Sequence, residues 1–175
     1  LWSAFFWFAA ALGLADKYLS GGELVAVMLG VVTLSVLAYE LAGSILGWEA
    51  LRRGTLIVWI AMPAAAAAQF THGVHPLADW GWLAWPASYG ASLWIFHRQE
   101  QQNPVPAATV LRGLTIWLPV VLATIELVWW VVEWNLGHAW HTAAYGLPSV
   151  LALLIMPALG NRWPVRDYQE VFRGG

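Results

Sequence analysis

The stretch GELVAVMLGVVTLSVLAYELAGSILG, Gly22 to Gly47, decides how this chain must fold. It carries only two charged side chains, Glu23 and Glu40. As a helix it extends about 39 Å, more than the roughly 30 Å hydrocarbon core of a bilayer. Lipid offers no partners for backbone N–H and C=O groups, so only helices or closed barrels cross it. The apolar run is continuous and does not alternate, which excludes a barrel strand. A transmembrane helix is the reading that remains.

Five more stretches follow the same pattern on either side: Leu1 to Ala15, Gly54 to Phe70, Trp80 to Phe96, Ala107 to about Asn135, and Ala139 to Leu159. Polar and turn-forming residues collect between them, at Asp16-Lys17, Ser20-Gly21-Gly22, Glu49 to Arg53, His72 to Pro76, Arg98 to Pro106 and Asn135 to His138. The expected fold is all-α: a polytopic bundle of about six transmembrane helices over residues 1–160. A cytoplasmic interfacial tail or connector is expected over 161–175. Leu1 runs straight into an apolar segment without an initiator Met or a basic n-region. That reads as a piece of a longer protein and not as a signal peptide.

Composition points the same way. Of the 175 residues 60% are hydrophobic and 10% charged, and the mean hydropathy is +0.62. Globular chains carry about 25% charge. These values exclude a disordered chain, a nucleic-acid binder and an ordinary soluble domain, whose surface needs more polar cover. The absence of cysteine removes disulfides, thiolate metal sites and cysteine nucleophiles from consideration.

Seven of the eight basic residues fall on one side of the expected bundle: Arg52, Arg53, Arg98, Arg112, Arg162, Arg166 and Arg173. Lys17 alone falls on the other. By the positive-inside rule both termini are expected to be cytoplasmic, in a bacterial inner membrane. The arginines then face anionic headgroups, and no nucleic-acid partner is needed to account for them. Trp48, Trp80, Trp82, Trp134, Trp140 and Trp163 lie near expected helix ends, where indoles favour the interface. Trp59, Trp117, Trp129 and Trp130 lie deeper and read as packing residues. Pro63, Pro86, Pro119, Pro148 and Pro157 fall inside spans, as membrane helices tolerate. Small residues at Ala64 to Ala68, and at Ser88, Gly90 and Ser92, allow close approach between helices.

Three stretches together resemble one family. HPLADWGWLAWPASYGASLWIFHRQE (His75 to Glu100), LRGLTIWLPVVLATIELVWW (Leu111 to Trp130) and LPSVLALLIMPALGNRWPV (Leu147 to Val165) are similar to segments of the bacterial DUF2339 membrane proteins. In that family an L-A-W-P turn opens a helix ending in a basic and acidic cluster. A W-L pair precedes L-E-L-x-W, and an R-W-P exit closes the last helix. The resemblance covers about residues 50–170. It implies longer, many-helix parent chains, a fold and a compartment, and no activity. Arg112 stands where the family pattern has His, and His72, His138 and His141 lie outside the pattern.

Chemistry-bearing residues are few. Glu126 lies fourteen residues beyond Arg112, about 21 Å deeper along a helix. Intramembrane carboxylates are expensive and face a bundle interior or a wet cavity. Glu126 is therefore the first transport candidate, with Glu133 seven residues on along about the same face. Glu40, near the inner end of its helix, is the third; snorkelling to water or pairing with Arg52 or Arg53 is its expected role. His72 and His75, and His138 and His141, fall on the outer side with Glu133 and Asp79 nearby. They are the candidate metal ligands, although Gly73 and Pro76 argue against helical spacing for the first pair. Haem ligation through His97 is disfavoured by its cytoplasmic position. No P-loop, dinucleotide fingerprint, nucleophile elbow or zinc-protease helix occurs. No enzyme class and no cofactor are assigned. The first reading is a structural or interaction module that packs against other transmembrane helices of its parent chain or of a complex. A proton or solute transport bundle using Glu126 is the second, and a metal- or haem-dependent enzyme using the outer histidines the third.

Overall fold

A computed structural model describes residues 2–71, 73–102, 105 and 108–159; for 2–5 and 159 only the backbone is described. All regular structure among these residues is helical: α1 (Trp2–Tyr18), α2 (Gly21–Leu46), α3 (Glu49–Gly54), a 3-10 turn (Thr55–Ile57), α4 (Val58–Thr71), α5 (Gly81–Gln102), α6 (Ala108–Glu133) and α7 (His138–Leu159). The chain divides into two compact units, Leu1–Pro104 and Val105–Gly175. The stretch 161–175 lies outside the described residues, together with Arg162, Trp163, Arg166 and Arg173.

Four rods are long and apolar enough to cross a bilayer: Gly21–Leu46, Glu49–Thr71, Ala108–Glu133 and His138–Ala158. Two others fall short of that standard. Helix α1 has 17 residues, and α5 is long enough at 22 but carries a polar C-terminal end. Helix α5 also runs past Phe96, so His97, Arg98 and Glu100 stand on a helix where a loop is expected from the sequence. Arg98 reaches Ser44 and Glu40 on α2 and His97 pairs with Gln101 one turn on, so the polar side chains are served without ending the helix.

The first unit is built on a repeating seam. On α2 the buried residues are Gly22, Ala26, Leu29, Thr33, Val36, Glu40 and Gly43. Their alternating spacing of four and three is that of left-handed coiled-coil packing. The same spacing selects Trp59, Met62, Ala66 and Gln69 on α4. On α5 it selects Gly81, Trp85, Ser88, Ser92, Ile95 and Gln99. The seam is rich in small and polar residues, while Leu34, Leu41 and Ile45 of α2 point outward. Membrane bundles invert the soluble pattern in this way, because lipid is as apolar as leucine and small residues let backbones approach. Of the alanine run only Ala66 enters the core, and Ser88 and Ser92 enter it while Gly90 stays exposed.

Two glycines permit close contacts. A Cβ on Gly81 would fall 1.9 Å from the Pro76 carbonyl oxygen, so the 73–80 loop closes onto the start of α5 only with glycine there. A Cβ on Gly43 would fall 2.6 Å from Arg52 Cγ, so α3 folds back on α2 only with glycine at that position.

In the second unit α6 and α7 form a helical hairpin turned by Trp134 to Gly137, with Asn135 at φ 49°. Leu111, Thr115, Leu118 and Val131 of α6 and Ala144 of α7 are buried. Trp59 of the first unit packs as expected, edge-on to Tyr89 and Phe96. Trp117 and Trp130 are partly exposed on α6. A two-helix hairpin has too little interior to enclose an indole.

Candidate functional site

The most developed polar constellation lies at the C-terminal end of α2, where α3 folds back and α5 passes alongside. Glu40 is 0% exposed. Its Oε1 accepts two hydrogen bonds from Arg52, from Nε at 3.0 Å and from Nη2 at 2.8 Å. Its Oε2 accepts from Gln99 Nε2 at 2.8 Å. The Gln99 amide is shared further with the Arg52 carbonyl at 2.7 Å and Thr55 Oγ1 at 3.0 Å. Thr55 in turn donates to the Arg52 carbonyl at 2.6 Å. Helix α2, the α3 end, the 3-10 turn and α5 thus meet on one carboxylate.

Two flanking arginines are placed differently. Arg98 Nε lies 3.9 Å from Glu40 Oε1, its Nη2 donates to Ser44 Oγ at 2.8 Å, and its guanidinium sits 5.2 Å from the Trp94 ring centroid. Arg53 turns outward and pairs with Glu49, four residues back on α3. Of the two expected partners, Arg52 is the one that reaches Glu40, and no snorkelling to water is needed. Burial of a lone carboxylate is costly, but a forked guanidinium and an amide offset much of that cost. Arg52, Arg53 and Arg98 gather at this end of the unit, and Lys17 stands at the opposite end, where α1 turns into α2.

A neutral polar chain extends along the seam from this cluster. Ser92 Oγ donates to the Ser88 carbonyl at 2.6 Å and stands 3.5 Å from Met62 Sδ. Thr33 and Ser88 share a hydroxyl contact of 2.7 Å across α2 and α5. Further along, Trp85 Nε1 donates to Gln69 Oε1 at 3.1 Å. The rungs Trp85–Gln69, Ser92–Met62 and Gln99–Thr55 recur every seven residues on both helices, about 10 Å apart.

The remaining candidates fall elsewhere. Glu126 is half-buried on α6 and accepts from Trp130 Nε1 at 2.9 Å. Trp130 packs on Trp134 at 4.8 Å with the rings tilted by 48° and meets Trp129 edge-on at 5.0 Å. Glu133 is exposed at the end of α6. His138 opens α7 and is exposed; His141, three residues on, is half-buried. His75 lies in the loop before α5, and His72 lies outside the described residues. Among the described residues no three His, Asp or Glu side chains converge on a metal-sized site. Arg112 lies in the first turns of α6.

Gln99, Thr55, Ser44, Gln69 and Trp85 are absent from the sequence-based candidates. For Thr55, Gln69 and Gln99, with Trp85 on the same face, the signal is the four-three spacing of small and polar residues; Ser44 lies off that register and carries no such signal.

Long apolar helices around a small-residue seam define a membrane-embedded helical protein. The chain belongs to the DUF2339 family, described as a predicted membrane protein, whose family model matches residues 1–175. The match extends the resemblance over 50–170 to both ends. No curated protein and no solved structure matches the chain.

Proposed function

We propose that this chain is a structural and interaction module of a larger membrane protein or complex, seated in the bacterial inner membrane. In this reading Arg52, Arg53, Arg98 and Arg112 lie at the cytoplasmic leaflet, where anionic headgroups neutralise those the protein does not pair. The observation that carries the proposal is the use made of Glu40. Both its oxygens are committed to side chains of neighbouring elements, and no part of it reaches solvent. A carboxylate that exchanges protons or cations needs access and a freely available oxygen. One that holds three elements in register needs neither. The outward Leu and Ile side chains of α2, and the largely exposed α7, suit contact with lipid or with further helices.

Reconstitution into liposomes tests this directly. The chain is expected to leave proton and monovalent-cation leakage at the level of protein-free vesicles, and Glu126→Gln is expected to change nothing. A proton flux that the wild type carries and Glu126→Gln abolishes would replace the scaffold with a relay.

A further inference from the structure

We infer that the core of the first unit binds water, at two places along the seam between α2, α4 and α5. The inference rests on two donors. Trp59 is 0% exposed and Gln69 1% exposed, yet Trp59 Nε1 and Gln69 Nε2 find no acceptor among the described residues. An unsatisfied buried N–H costs more than it takes to immobilise one water molecule.

Acceptors with spare capacity lie between the two donors. Thr33, Ser88 and Ser92 each carry one hydroxyl proton and two oxygen lone pairs. Their protons are taken up by the Leu29 carbonyl, the Ser88 carbonyl and the Thr33–Ser88 contact. Lone pairs on these hydroxyls outnumber the donors that reach them. The heptad rungs set the levels. Trp59 is three residues, about 4.5 Å of axial rise, from Met62, which faces Ser92. Gln69 faces Trp85, which is again about 4.5 Å along α5 from Ser88. A water bonded to two partners at a near-tetrahedral angle holds them about 4.6 Å apart. One water therefore links Trp59 Nε1 to the Ser92 level, and a second links Gln69 Nε2 to the Thr33–Ser88 pair.

The chemistry of the seam selects water over other ligands. Between Gln69 and Thr55 the buried faces of α4 and α5 carry no charged side chain, so neither a cation nor an anion is compensated there. The required molecule accepts from an N–H on one side and donates to a hydroxyl oxygen on the other. Ala66, Ser88 and Ser92 are small and the neighbouring Trp59 is large, which favours a molecule of one heavy atom. Bound water needs no exchange across the membrane, so this inference stands whether or not the chain conducts protons.

X-ray hydroxyl-radical footprinting of the full chain in lipid nanodiscs tests it, because bound water yields radicals at the spot where it sits. Met62, Trp59 and Trp85 are reactive reporters with almost no solvent exposure. They are expected to oxidise above the unirradiated background in the folded wild type despite that burial. The double variant Ser88→Ala/Ser92→Ala is expected to lower Met62 and Trp59 oxidation at least about threefold, leaving the exposed Trp48 unchanged. Trp59→Phe keeps the ring, removes the donor and is expected to lower Met62 oxidation if the double variant does not fold. Oxidation of Met62 and Trp59 in the irradiated wild type no higher than in an unirradiated sample, or Met62 oxidation unaltered in a folded Ser88→Ala/Ser92→Ala or Trp59→Phe variant, would overturn the inference.

Discussion

Glu40 shows how one residue sets helix order. A charge at 0% exposure survives in the bundle because Arg52, itself 14% exposed, forks onto one oxygen and Gln99 serves the other. Removing one partner leaves the other buried and uncompensated. Glu40→Ala is expected to cost about 3 kcal/mol in a detergent-mixture unfolding titration. Replacing both charges, as in Glu40→Leu/Arg52→Met, is expected to recover most of that loss, since well-packed apolar pairs often match a buried ion pair. A double variant no better than Glu40→Ala would show that Arg52 has an independent role. The sequence narrows Glu40's partner to two adjacent arginines and goes no further. Choosing between them takes the turn at Gly47, at φ 65°, and the fold-back of α3 against Gly43.

At the level of elements, register is carried by the small polar rungs. Thr33–Ser88 joins α2 to α5, and Ser92–Met62 and Gln69–Trp85 join α4 to α5. Single hydroxyl bonds between membrane helices are weak, averaging about 0.6 kcal/mol, because the unfolded helices find other partners in the membrane. Ser88→Ala is expected to shift the unfolding midpoint by an amount of that order. Ser88→Leu places a bulky side chain where two backbones approach and is expected to cost about 1–3 kcal/mol. Equal midpoints for the two variants would mean that α2 and α5 do not depend on close contact at Ser88. Helix positions are legible from apolar length, and breaks from charge and turn residues. The seam is not legible from hydrophobicity, since lipid-facing positions are at least as apolar as the core; only the four-three spacing of small and polar residues marks it.

For the whole molecule, the proposed orientation in the membrane rests on where the arginines gather. The chain has no native cysteine, so single replacements report topology cleanly. Gly54 is exposed with open space at its Cβ position, and Leu77 is exposed in the loop before α5. Gly54→Cys is expected to react with a membrane-impermeant maleimide only from the cytoplasmic side, and Leu77→Cys only from the periplasmic side. Labelling of both from one side would overturn the proposed orientation. The cluster around Glu40 lies wholly within Leu1–Pro104, where Arg52, Gln99 and Thr55 all belong. Apolar length and the shortage of charge are enough to dictate helices and a bilayer, since unbonded backbone in lipid costs more than any side-chain preference. Which face of each helix turns inward is another matter. It follows from how closely small residues let neighbouring backbones approach and from which long side chains then reach Glu40, and those are distances between segments far apart in the chain.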